Sequence, residues 1–122
     1  LHDTNSGSPN LWFEARGSQL YFNDKLNAQD YYVRSDIRDK SNIKPIGSPL
    51  EKINTIGGYT YHQNIIDSDS SGVIAQEVMS VLPEAVNYDE QEDRYNVQIG
   101  GVVSMLVEAV KELSAKIEKL EK

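Results

Sequence analysis

Ile99-Gly100-Gly101-Val102-Val103-Ser104-Met105-Leu106-Val107-Glu108-Ala109-Val110-Lys111-Glu112-Leu113-Ser114-Ala115-Lys116-Ile117-Glu118-Lys119-Leu120-Glu121-Lys122 is the stretch on which the fold turns. Within it Ile99, Val103, Leu106, Val110, Leu113, Ile117 and Leu120 follow one another at spacings of 4, 3, 4, 3, 4 and 3, the alternation of a coiled-coil seam. The spacing predicts one long helix over residues 99–122. From Val103 onward β-branched residues hold the a positions and leucine holds d, a choice that by itself leans towards two parallel strands. The flanks pull the other way. Val102, Val107 and Ala109 widen the apolar stripe over the first half of the helix, beyond what a two-stranded seam covers. A third strand, or the body of the same domain, should cover that surface. The competing reading is a single amphipathic helix folded back on its own domain. Glu112 and Lys116 form an i,i+4 pair in the favourable orientation, worth a few tenths of a kcal/mol, so the apolar seam and not charge decides association.

Upstream of this helix the pattern is mixed. Tyr95 and Val97 read as a strand and residues 88–94 as an acidic loop. Residues 76–82 read as a short helix with Ile74, Val78, Val81 and Leu82 on one side, ended by Pro83; Gln76 and Glu77 are expected to face solvent. The Ser/Asp/Gly-rich stretch 67–72 reads as a polar loop, and Tyr59-Thr60-Tyr61 as a strand with His62 packed or solvated beside it. Ser48 and Pro49 are placed to start another short helix carrying Leu50, Ile53 and Ile56, which should stop at Gly57-Gly58. Nearer the N-terminus, Leu11 to Arg16, Leu20 to Phe22 and Tyr31 to Val33 read as strands separated by Gly17-Ser18 and Asn23-Asp24 turns. Residues 2–10 are polar and loop-like. Few strands of this length are stable alone, so their aromatic residues are expected to pack against other copies or domains.

Bulk properties exclude several functions. A net charge of −7 spread over 122 residues disfavours binding to a phosphate backbone, so no nucleic-acid partner is expected. No apolar run approaches the roughly 18 residues of a membrane span. Without cysteine, and with His2 and His62 sixty residues apart, neither a disulfide framework nor a zinc spacing is available. An apolar content of 39% supports a real but small core. The chain begins at Leu1 and reads as a C-terminal piece of a longer protein.

Ser35-Asp36-Ile37-Arg38-Asp39-Lys40 carries the chemistry. It sets a possible nucleophile, Ser35, five residues before a possible base, Lys40, and serine-lysine pairs are a known variant of activated-serine catalysis. A lysine base is demanding, because its pKa must fall from about 10.4 towards 7, a cost of roughly 4.6 kcal/mol, through burial or nearby cations. Geometry adds a second condition: in an extended chain the two side chains would stand roughly 16 Å apart, so a turn has to intervene. The alternative is a helix N-cap or turn serine followed by a solvated lysine.

Several separated pieces stand in one order: Ser35-Asp36-x-Arg38-x-Lys40-x-x-Ile43, the region from Leu50 to Tyr61, Gly72-Val73-Ile74-Ala75-Gln76-Glu77-Val78 with Leu82-Pro83-Glu84, and Leu106-Val107-Glu108-Ala109-Val110-Lys111-Glu112-Leu113. Together, over residues 35–122, they resemble the C-terminal intramolecular chaperone domain of bacteriophage tailspikes, tail fibres and neck appendages, a self-cleaving endosialidase-type peptidase that also occurs in myelin regulatory factor. The resemblance implies an α+β fold: a short N-terminal β segment over residues 1–34 that ends a trimeric β fibre or spike, then a chaperone domain over 35–122 whose helix 99–122 forms a trimeric coiled coil. It implies a homotrimer with Val103, Leu106, Val110, Leu113, Ile117 and Leu120 in the seam, and the upstream β fibre of the same chain as partner. Self-cleavage between Arg34 and Ser35 is implied, with Ser35 as nucleophile, Lys40 as general base and Asp36 and Arg38 in positioning roles, without metal or cofactor. Assembly would occur in the cytoplasm of the infected host, and the mature upstream part would reside in the virion tail or an appendage. Ile99-Gly100-Gly101 departs from the family pattern, so a looser helix start is expected there. Two rival readings are a trimerisation cap that never cuts and a peptidase acting on foreign substrates.

Overall fold

The computed structural model describes residues 13–122, which lie in two compact units, residues 13–41 and 42–122. The polar stretch 2–10 and the start of the first strand, Leu11 and Trp12, fall outside the described residues.

In the first unit, β1 (Phe13–Arg16) and β2 (Gln19–Phe22) form an antiparallel hairpin with Phe13 opposite Phe22. Gly17 turns it with φ of +60°, a conformation that an L side chain adopts only with strain. The Phe13 and Phe22 rings stack with centroids 5.6 Å apart, and the Arg16 guanidinium, paired with Glu14, lies 4.2 Å over the Tyr21 ring. The third expected strand is absent: Tyr31, Tyr32 and Val33 are exposed and form no strand. β-propensity records fit to a pleated, half-buried surface, and no described strand of this unit pairs with these residues.

The second unit is built on three helices and two hairpins. Pro49 opens α1 (Pro49–Thr55), its fixed φ suiting the first helical position. Ser48 precedes it in the left-handed region at φ 51° and makes no side-chain cap bond. Instead, the Leu50 amide donates to Glu112 of the C-terminal helix, at 3.5 Å. After Gly57-Gly58, β3 (Tyr59–Gln63) pairs antiparallel with β4 (Ser68–Gly72). The stretch read as a polar loop is therefore a strand from Ser68 onward. Its serines and aspartate are compatible with pairing because the hairpin keeps most of their side chains in water.

Helix α2 (Ala75–Val81) ends where Pro83 begins a 3₁₀ turn, Pro83–Ala85. Two short strands follow, β5 (Val86–Asp89) and β6 (Arg94–Val97), with the Tyr88 and Tyr95 rings 5.0 Å apart. The acidic stretch 88–94 thus contributes the end of β5 and the start of β6 as well as the turn between them. The Gln98 amide donates to the Ala85 carbonyl at 2.7 Å and delivers the chain into α3 (Ile99–Leu120).

Val78, Leu82, Ala85, Val102 and Met105 form the core, flanked by half-buried Ile53, Ile56, Val81 and Val86. Val78 and Met105 are wholly buried, each worth roughly 1.5–3 kcal/mol on burial. Gly101 lies at the tightest point. A Cβ there would stand 2.5 Å from the Ala85 Cβ, so glycine admits the 3₁₀ turn against the helix. The start of α3 is hence a close approach and not a loose one, the reverse of the expectation from Ile99-Gly100-Gly101.

Gly101→Ala should destabilise the second unit. Alanine gains up to about 1 kcal/mol of helix propensity, but the clash is with a Cβ fixed to backbone, and overpacking costs about 1–3 kcal/mol. Chemical denaturation followed by circular dichroism should show a lowered midpoint.

Candidate functional site

The motif Ser35 to Lys40 is organised by its own side chains. Asp36 caps a 3₁₀ turn, Ile37–Asp39, by accepting the Arg38 backbone N–H at 2.8 Å. The same carboxylate takes a two-pronged bond from the Arg38 guanidinium, with Nε to Oδ1 at 3.1 Å and Nη2 to Oδ2 at 2.9 Å. Such forked pairs fix orientation as well as adding attraction. Arg38 holds the Asp36 carboxyl below its usual range, and Asp36 in turn raises the guanidinium pKa. Asp39 and Lys40 donate their amides to the carbonyls of Asp36 and Ile37, each at 3.1 Å, which closes the turn.

A turn of this kind is what the spacing required. Over its residues the chain rises about 2.0 Å each, against about 3.3 Å in a strand, and Lys40 leaves it in an extended conformation, φ −120° and ψ 147°. All residues from Arg34 to Lys40 are exposed in the single chain. Asp36 and Arg38 are brought together; Ser35 and Lys40 are joined by no hydrogen bond. The Ser-Asp signature of a capped turn is present too, with Asp36 and not Ser35 as the cap.

The second candidate surface is α3. At 100° per residue, Val102, Met105 and Ala109 share one face, and all three are buried against the second unit. Val103, Leu106, Val110, Leu113, Ile117 and Leu120 lie on another face and are 45–85% exposed. Ile99 and Val107 are open beside them. The body of the domain therefore covers Val102 and Ala109, which widened the stripe, but leaves about half or more of each seam residue in water. Glu112 holds Lys116 at 3.0 Å, a pairing that draws its carboxyl below the usual range, and Glu108 holds Lys111 at 3.4 Å.

Glu77 departs from expectation. It is half-buried and accepts the Gly57 amide at 2.9 Å and the Tyr59 hydroxyl at 2.9 and 3.2 Å, which raises the Tyr59 pKa. This ties the first turn of α2 to the bend between α1 and β3. Helical periodicity could not reveal it, since the partner groups belong to a glycine and a tyrosine about twenty residues upstream.

Residues 35–87 match the family described as chaperone of endosialidase. Among curated relatives, the long tail fiber protein Gp37 of Enterobacteria phage K3 is 39% identical over 120 residues, covering 89% of this chain and 9% of that protein. The Gp37 protein of Enterobacteria phage T2 matches to the same extent, and that of Enterobacteria phage Ox2 is 33% identical over 94% of this chain and 50% of its own length. The chain thus spans under a tenth of the length of the first two relatives. The matched region begins at the proposed nucleophile and runs through the Asp36–Arg38 turn, the Glu77 tie and the core residues Val78, Leu82 and Ala85. Residues 35–87, then, belong to the endosialidase chaperone family, in a chain most of which is similar to part of phage long tail fiber proteins.

Proposed function

We propose that this domain trimerises a phage tail fibre protein through α3, sets the register of the three chains, and is then released by cutting itself at Arg34-Ser35. The carrying observation is the open face of α3: six consecutive seam positions exposed on a helix whose other face is already seated in its domain. Exposed Val107 makes this stripe broader than a two-stranded seam, which supports three strands. Interwound strands from three chains have distant contacts and open edges, so they fold slowly and aggregate easily. Joining their ends raises the effective concentration of each for the others.

In the cleavage step, Lys40 Nζ takes the Ser35 hydroxyl proton while Oγ attacks the Arg34 carbonyl carbon. The C–N bond breaks, the Ser35 amine leaves with a proton, and an ester links Arg34 to Oγ. Water hydrolyses that ester and frees both termini. Exposure of Lys40 in the single chain supports a dependence on assembly, because the burial that a lysine base requires would come only from neighbouring chains. The same exposure favours the second reading, a trimerisation cap that never cuts.

Ser35→Ala and Lys40→Arg should each yield intact trimers, since arginine cannot act as a base near neutral pH; intact mass spectrometry reads the outcome, and a fragment beginning at Ser35 from the unaltered chain excludes the cap. A Lys40→Arg chain cut at the normal rate removes lysine from the mechanism.

Leu113→Asp with Ile117→Asp should convert the trimer to monomer, at about 2–5 kcal/mol per lost apolar side chain, with the circular dichroism of the domain retained. Light scattering on a sizing column measures it.

Asp36→Asn should slow cleavage several-fold while the trimer persists. The folded-state pKa of Asp36 is depressed, so its contribution to the turn is present above about 3.9 and lost only as pH falls through the lower folded value. The ratio of mutant to unaltered cleavage rate should therefore be constant from pH 5 to 8.

A further inference from the structure

His62 lies on β3 directly opposite Asp69 on β4. Its Nδ1 stands 2.8 Å from Asp69 Oδ1, and its Nε2 stands 2.8 Å from Asp67 Oδ1. Asp67 ends the turn between the strands and holds a left-handed conformation, φ 49°, which costs a non-glycine residue free energy even when it is an aspartate. Both ring nitrogens thus face a carboxylate across a four-residue turn, and Ile65 is exposed within it.

We propose that His62, Asp67 and Asp69 form a proton-set latch that closes the β3–β4 turn. A neutral imidazole carries one N–H and one lone pair, so it can donate to only one of two carboxylates; opposite the other, lone pair would face lone pair. The imidazolium donates to both. Gain of the proton closes the latch at each end, and its loss opens one arm. The Asp67 arm is the one that yields, because Asp69 is held by the strand register while Asp67 sits in the turn under backbone strain. The hairpin supplies the groups that face the ring: Asp69 from β4 and Asp67 from the turn are its charged neighbours. They approach different nitrogens and so do not converge on a common point, and the described residues contain no cluster suited to a metal.

Bonding to Asp69, and then to Asp67, raises the His62 pKa. A raised folded value means that the latch's contribution is complete below about 6.5 and fades as pH rises through the higher folded value. The window therefore opens above about 6.5; the latch itself is independent of the cleavage and trimerisation proposed above.

The test is an NMR titration of the full Ser35→Ala chain from pH 5 to 9, following the His62 ring carbons and nitrogens together with amide relaxation at residues 64–67. The expected result is a His62 midpoint above 6.5, with both ring nitrogens protonated below it and increased motion of the Asn64–Asp67 amides above it. Asp67→Asn should lower the midpoint and remove the pH dependence of the turn while leaving the β3–β4 cross-strand contacts intact. Asp69→Asn should lower the midpoint as well. A midpoint at or below 6.5 in the unaltered sequence, or turn motion that does not track the titration, overturns the latch. The trimer fraction measured on the same samples is a separate readout, so failure of the assembly reading leaves the latch result standing.

Discussion

Helix α3 has to satisfy two apolar faces with one cylinder, and the rest of the second unit follows from how it does so. Val102, Met105 and Ala109 recur along one side, where α1, α2 and the Pro83–Ala85 turn close over them. The seam residues recur along another side and stay 45–85% exposed in the single chain. Since the two stripes share a backbone, any chain that folds the domain correctly also presents the seam at a defined angle to it. The core that secures this is small, with only Val78, Leu82, Ala85, Val102, Met105 and Ala109 buried among the described residues. Gly101 and Ala85 let helix and turn approach closely enough for so few side chains to suffice.

Around the candidate cleavage site the physics is of another kind. Asp36 and Arg38 are two residues apart, and their bonds to each other and to the local backbone hold the turn without a core. Local geometry of this sort forms quickly and at small entropic cost. What a serine nucleophile additionally needs, a desolvated base and donors for the developing oxyanion, cannot be produced by residues 34–40 alone, all of which are in water. In the single chain the site is locally shaped and chemically incomplete.

Elements in which one signal dominates are legible in the sequence. Pro49 and Gly57-Gly58 bracket α1, Pro83 ends α2, and the 3-4 spacing announces α3. Elements that pairing, not composition, decides are not legible there. Ser68 to Gly72 carries no β signal, yet it becomes a strand because β3 lies beside it; Tyr31 to Val33 carries a strong signal and has no partner. Val86 to Asp89 was hidden by its acidic surroundings, and Glu77 by a helical position that says nothing of groups twenty residues away. In the motif itself, Ser35, Asp36, Arg38 and Lys40 were legible as residues, and the need for a turn was legible as arithmetic. The fork that builds the turn required coordinates.

The hairpin of β3 and β4 is isolated, since each sheet among the described residues has only two strands. An isolated hairpin offers open backbone on its outer side to any extended chain that drifts past. On β4 that side is framed by Ser68, Asp69, Ser70, Ser71 and Gly72, with no large apolar side chain to grip a passing strand and a carboxylate to repel an acidic one. The β4 edge is thereby a poor template for a passing strand, whereas β3, with exposed Tyr59 and Tyr61, is the stickier of the two, so that the hairpin has one reluctant edge and one receptive edge.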